Sequence, residues 1–331
     1  MNVFLTGGTG LLGRHVIEQL AAAGARVVAL ARDEAGESTL RARSATPRRG
    51  RVEDPRTWDR VLPCRVVVHI AAIIAARAPW PVFYQANVEG TRLAATTARR
   101  IGARLVHVSS VAVYGRRAYD VEPLSIGERF PFGPLEEHDY YARSKRLAEE
   151  VVREEVDRGL EAVILRPCVI YGPGDRLFLP RLVAVARHGW LPLIGKGDAP
   201  LALVHARNVA AGVAAAATAP LAAGRVYNLT NDDEISPRAF IAAVGEGIGR
   251  RVRTVTVPET AALATARVVE AGLRLVGPGL YPGTLTGAVR FWRGGNPYRS
   301  HAARTDLRWH ALIRHAEGVR EAARDAIRPT S

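Results

Sequence analysis

A short apolar strand that runs directly into a glycine turn and then a helix leaves a chain few folds to choose from. Asn2-Val3-Phe4-Leu5-Thr6 is such a strand, Gly7-Gly8-Thr9-Gly10-Leu11-Leu12-Gly13 follows, and the amphipathic run His15-Val16-Ile17-Glu18-Gln19-Leu20 continues it. Glycines at 7, 10 and 13 permit a tight turn, let backbone amides approach a ligand, and let the helix lie close against the strand. A helix starting there aims its unpaired N–H groups at the turn, which favours an anion. A second apolar strand, Arg26 to Ala31, comes next, so the pattern predicts the opening βαβ unit of a dinucleotide-binding sheet. The alternative is a glycine-rich turn with no ligand.

Further strands are predicted at Arg65 to Ile70, Arg104 to Ser109 and Glu161 to Arg166, with a faint one near Gly50 to Val52. Helices between them give an α/β fold, a doubly wound parallel sheet of the Rossmann type. Beyond Pro167, Leu203 to His205 and Arg225 to Thr230 read as short strands. The 331 residues suffice for such a domain and a smaller second lobe.

Only two of the forty-six basic side chains are lysines, and Lys145 stands four residues after Tyr141 in Tyr141-Ala142-Arg143-Ser144-Lys145. On a helix these positions share a face, and a compact ammonium sits beside a phenol where a guanidinium fork does not. The spacing therefore predicts that Lys145, together with a cofactor's positive ring, lowers the Tyr141 pKa from about 10 towards about 7, a differential of roughly 4 kcal/mol. Taken alone, it describes an exposed tyrosine and lysine equally well.

Read with Ser109-Ser110-Val111-Ala112-Val113-Tyr114-Gly115, these motifs make the chain resemble the extended short-chain dehydrogenase/reductase family, which includes NAD-dependent epimerases and dehydratases. His69-Ile70-Ala71-Ala72, Asn87-Val88-Glu89-Gly90-Thr91, Arg166-Pro167 and Tyr171-Gly172-Pro173-Gly174 agree with it in order. Leu201 to Ala210 is similar to the branch of 3β-hydroxysteroid dehydrogenases, dihydroflavonol reductases and 3-keto acyl reductases. The resemblance implies that Leu203 to His205 and Arg225 to Thr230 return to the main sheet. The Rossmann domain would then be residues 1–166 plus about 203–232, and a discontinuous substrate lobe about 167–202 and 233–331.

The same resemblance implies Ser110, Tyr141 and Lys145 as catalytic residues, with Asn87 supporting the central helix and proton relay, although a helix N-cap accounts for Asn87 too. It implies dinucleotide contacts from Gly7, Thr9, Gly10, Leu11, Leu12, Arg32, Val52, Ala71, Ala72, Tyr141, Lys145, Pro167 and Ile170. An NAD site usually ends its second strand with an acid, whereas this chain has Ala31 and then Arg32, which suits a 2′-phosphate. NADP(H) is thus favoured over NAD(H), unless the strand runs two residues longer and Asp33 holds the ribose. Arg51 departs from the family, which often has an aspartate near the adenine there.

The expected activity is hydride transfer to or from a ketone or secondary alcohol of a largely apolar small molecule. A sugar-nucleotide 4-epimerase is the second option, set back by Val169 where such enzymes commonly carry an asparagine, and a non-catalytic dinucleotide-binding protein is the third. Ala261 to Tyr281 is rich in small apolar residues and reads first as an ordinary packed helix, with an amphipathic cover over the substrate as the alternative.

Net charge of +14 would suit nucleic acid, but the arginines are scattered without aromatic interleaving, so no nucleic-acid partner is expected. The cluster Arg41, Arg43, Arg48, Arg49 and Arg51 reads as a solvated loop or an electropositive rim. No apolar run reaches 18 residues and the first residues enter a strand, so no membrane partner and a cytoplasmic location are expected. Cys64 and Cys168 have no metal-ligand spacing, so no metal is expected. The resemblance is compatible with a homodimer formed through the tyrosine helix and its neighbour.

Overall fold

Strands covered by helices on both faces are apolar without alternation. Such runs, spaced by amphipathic stretches, give β1 (Asn2–Thr6), α1 (Leu11–Ala22), β2 (Arg26–Ala31), α2 (Glu34–Arg41), β3 (Thr46–Arg49), α3 (Pro55–Asp59), β4 (Val66–His69), α4 (Trp80–Phe83), α5 (Gly90–Arg100), β5 (Arg104–Val108), α6 (Tyr140–Asp157) and β6 (Ala162–Pro167). After them come β7 (Val169–Tyr171), α7 (Leu179–Ala186), β8 (Trp190–Ile194), β9 (Leu203–His205), α8 (Ala206–Thr218), β10 (Arg225–Leu229), α9 (Pro237–Gly247), β11 (Arg253–Val257), α10 (Glu259–Val276), α11 (Leu285–Arg293), α12 (His301–Leu307) and α13 (His315–Ala326). The computed structural model describes every residue except 60, 62, 75–77, 120, 221–223, 277–284 and 329–331.

The main sheet has seven strands in the order β10-β6-β5-β4-β1-β2-β3, all pairs parallel. The expected doubly wound sheet is therefore present. From β1 the chain winds outward to β3, then crosses back to β4 and winds the other way, so the order reverses between β1 and β4, where Thr6 stands opposite His69. At such a point the connections leave in opposite directions and open a crevice at the carboxyl ends of the strands.

Alternate residues of β1 serve the two faces. Val3 and Leu5 join Val16, Ile17, Val209 and Val213 beneath α1 and α8, while Phe4 joins Trp58, Ala94, Ala98 and Val152 beneath α5 and α6. Each large apolar side chain fully buried in this way contributes roughly 1.5–3 kcal/mol. A separate core of Tyr171, Leu179, Val183, Phe240, Val244 and Val319 lies among α7, α9 and α13.

Two strand expectations are corrected. The third strand is Thr46–Arg49, not Gly50 to Val52. It is an edge strand of Thr-Pro-Arg-Arg, in which one neighbour suffices and Pro47 is tolerated. The chain turns away just after Gly50, whose N–H donates to Ala31 O at 2.9 Å. Leu203–His205 pairs with β7 instead of returning to the main sheet, whereas Arg225–Leu229 does return, beside β6. No helix among the described residues is long and apolar enough to cross a membrane.

Candidate active site

The crevice begins where Thr6 ties two strand ends together. Its Oγ1 accepts from Ala71 N at 3.2 Å and hydrogen-bonds His69 Nδ1 at 2.9 Å. Gly7 then turns with φ of 78°, and a Cβ there would lie 2.8 Å from Ala71 N. Gly10 forms the N-cap of α1 without any side-chain hydrogen bond, and no acid occupies the first turn. The positive end of the helix dipole is thus open, which fits a dinucleotide pyrophosphate. Thr9 and Gly10 are exposed at this end, Leu11 is half-buried, and Leu12 is buried, so only its backbone faces the turn.

At the end of β2 the chain stops at Ala31 because Asp33 caps α2, its Oδ1 accepting from Gly36 N at 2.8 Å. The strand does not continue to Asp33. Arg32 is exposed and has no ion pair among the described residues. The neighbouring basic cluster is largely spoken for: Arg41 and Arg49 pair with Glu37, Arg43 with Glu18, and Arg51 with Glu53. Val52 packs where a Cβ on Gly90 would project. Ala71 and Ala72 are half-buried just beyond β4, Pro167 is buried at the end of β6, and Ile170 is half-buried in β7.

Asn87 is not a helix N-cap. It is buried inside a π-helical turn, Tyr84–Glu89, of the kind often found at functional sites. Its Oδ1 accepts from Ile73 N at 2.8 Å, and its Nδ2 donates to Ile73 O at 3.0 Å and to Ser144 Oγ at 2.9 Å. It therefore fastens the loop after β4 to the helix that carries Tyr141 and Lys145.

That helix, α6, starts because Asp139 caps it, accepting from Ala142 N at 3.1 Å. Tyr141, the second residue of α6, faces Ser110, which stands just past β5 and accepts from Ala112 N at 3.2 Å. Burial pushes the phenol pKa up to about 12, with Ser110 opposing and the Asp139 carboxylate adding to the rise. Lys145 is not among the groups that act on the phenol here. The lysine Nζ instead donates to Val108 O at 2.7 Å, and burial brings its own pKa down to about 8, against the opposing charge of Glu149.

Two features escaped the reading of motifs. Glu149 and Arg166 form a buried ion pair behind Ser109, and His69 stacks on His107, whose ring nitrogens have no hydrogen-bond partner. The signal for Glu149 was its place four residues after Lys145; nothing in the sequence singles out His107. Val111, Ala112 and Gly115 line one side of a small cleft next to Ser110, and Thr286, Gly287 and Arg290 of α11 line the other. Most of the stretch Ala261 to Tyr281 forms α10, with Val268 and Val269 exposed, and residues 277–281 lie outside the described residues.

A family profile described as "NAD dependent epimerase/dehydratase family" matches residues 3–230. The chain is 32% identical, over 99% of its length and 96% of the relative's, to the 4-hydroxy-2-methyl-3-oxo-4-farnesyl-3,4-dihydroquinoline-1-oxide ketoreductase of Stigmatella aurantiaca. It is 35% identical, over 74% of its length and 76% of the relative's, to the 2-alkyl-3-oxoalkanoate reductase of Stenotrophomonas maltophilia. Among solved structures, UDP-glucose 4-epimerase of Thermotoga maritima superposes with a TM-score of 0.75 at 18% identity, covering 98% of this chain and 97% of that one, a likeness of fold.

Proposed function

Because the chain belongs to the NAD dependent epimerase/dehydratase family, we propose that it is an NADP(H)-dependent ketoreductase acting on a ketone or secondary alcohol of a largely apolar small molecule. The observation that carries this reading is the convergence of Ser110, just past β5, with Tyr141 and Lys145, one helical turn apart on α6, at the mouth of the switch-point crevice, where burial keeps the phenol protonated at neutral pH. A protonated phenol paired with a hydroxyl is a donor set for a ketone oxygen that gains negative charge. The names of the two relatives, a ketoreductase and an oxoalkanoate reductase, agree with it.

When bound, the nicotinamide supplies or takes up the hydride. The turn from Gly7 to Gly13 and the first amides of α1 would hold the pyrophosphate, and Lys145 would hold the nicotinamide ribose hydroxyls. Ser110 positions the substrate oxygen, and Tyr141 Oη delivers the proton to it in reduction or removes it in oxidation. Val169, 38% exposed where sugar-nucleotide enzymes commonly carry a phosphate-binding asparagine, favours ketone reduction over epimerisation. The test is a cofactor-oxidation screen of the purified protein against steroid, polyketide, flavonoid and β-keto acyl ketones, with UDP- and dTDP-sugars in parallel. Conversion of a sugar nucleotide with silence on every ketone would overturn the reading.

The cofactor preference rests on Arg32, since Asp33 is engaged as a helix cap. Arg32→Ala should lower kcat/KM for NADPH by roughly 10- to 100-fold, the worth of a charge-assisted hydrogen bond, and change the NADH value far less. Equal losses with both cofactors, or none, would remove Arg32 from the 2′-phosphate site.

A further inference from the structure

We propose that Glu149 is a positioning residue of the active site: one helical turn beyond Lys145 on the same face of α6, its buried carboxylate, anchored by Ser109 and Arg166, is the counter-charge to the lysine that Tyr141 and Ser110 work beside. The inference rests on the ketoreductase reading above, and it begins from a carboxylate that stability alone does not explain. Glu149 is fully buried. Its Oε1 accepts from Ser109 Oγ at 2.7 Å and Arg166 Nε at 2.8 Å, and its Oε2 from Arg166 Nη2 at 2.6 Å and Arg153 Nη2 at 2.7 Å. Arg166 in turn donates to Tyr114 Oη at 2.9 Å and to Glu128 O at 3.1 Å. A buried pair of this kind is often no more stabilising than apolar residues of the same volume. What distinguishes it is its place: Tyr141, Lys145 and Glu149 recur every four residues along one face of α6.

The groups around Lys145 leave that task to Glu149. From β5, Val108 O accepts its hydrogen bond. His107 on β5 and His69 on β4, stacked at 5.7 Å, are both kept neutral by burial and by the lysine's own charge, His69 down to about 3. Arg166 from β6 and Arg153 from α6 are cations. Asp139, at the start of α6, acts on Tyr141. Among the described residues, Glu149 is the carboxylate whose charge favours protonated Lys145, and Ser109 and Arg166 fix where that charge sits.

The chain has two lysines, Lys145 and Lys196, so protein carrying 13Cε-labelled lysine gives two titrating resonances, and Lys196→Arg assigns them. The wild-type Lys145 midpoint should fall near 8. Glu149→Gln should move it down by about one pH unit or more and carry the basic limb of kcat/KM for ketone reduction with it, and Glu149→Asp should restore most of both. A carboxylate serving structure alone would lower activity equally at every pH and leave the lysine midpoint in place, which would overturn the proposal. If Glu149→Gln does not fold, Glu149→Leu with Arg166→Met replaces the pair by apolar side chains and Arg166→Met alone corrects for the lost cation, and a double-variant midpoint no lower than that of Arg166→Met is equally fatal. The titration needs no substrate, so a chain that turns over no ketone yet shows the shift keeps Glu149's role and loses the ketoreductase reading.

Discussion

Tyr141→Phe should lower kcat for ketone reduction by about 1,000-fold, within the range that a positioned general acid supplies. NADPH affinity, measured by quenching of cofactor fluorescence, should stay within about twofold. The substitution removes one oxygen and keeps the ring. Lys145 is hydrogen-bonded to Val108 O, not to the phenol, so the ammonium stays where the ribose would meet it. Ser110 keeps the bond from Ala112 N. Ser110→Ala, which leaves the acid and takes away one donor, should cost roughly 10- to 100-fold. A Tyr141→Phe variant retaining more than a tenth of the wild-type rate would mean that the proton comes from elsewhere.

Much of this site was legible because its parts are local. The glycine turn, the end of β2 and the Tyr141 to Lys145 step each lie within one turn or one strand end, where apolar runs, caps and helical periodicity are written in neighbouring residues. The misplaced β3 shows the limit of that signal: an edge strand of Thr-Pro-Arg-Arg has no apolar run to betray it, and only its pairing to Val28–Ala31 makes it a strand. The electrostatics were less accessible still. The four-residue step puts Lys145 and Tyr141 on one face, but whether the ammonium meets the phenol depends on Val108 O, 37 residues away, which takes the hydrogen bond. Glu149 and Arg166 meet across 17 residues and two elements, and Thr286 and Arg290 of α11 reach the small cleft beside Val111 across more than 170 residues of chain. Composition found an apolar stretch; it had no means of saying which face of which helix would reach the substrate.

Gly13→Ala should damage both stability and dinucleotide binding. A Cβ there would lie 2.1 Å from Gly7 O and 2.6 Å from Gly8 Cα. Both are backbone atoms of the turn itself, so no side chain can swing aside; α1 must lift from β1 or the turn must open. Overpacking of this kind costs about 3 kcal/mol at its upper end, and Tm should drop by roughly 4 °C. Dinucleotide binding should be lost as well, because the displaced element carries the amides that face the pyrophosphate. Gly10→Ala separates the two effects. Its Cβ would meet only Gly7 O, at 3.4 Å, an ordinary contact at an exposed position, so Tm should hold within about 2 °C of wild type. The methyl nevertheless stands at the N-cap of α1, where the anion must come close, and NADPH affinity should fall at least about tenfold. Wild-type melting of Gly13→Ala would show that helix and strand are not packed as closely as the turn requires. Wild-type NADPH affinity of Gly10→Ala would put the pyrophosphate somewhere other than this helix end.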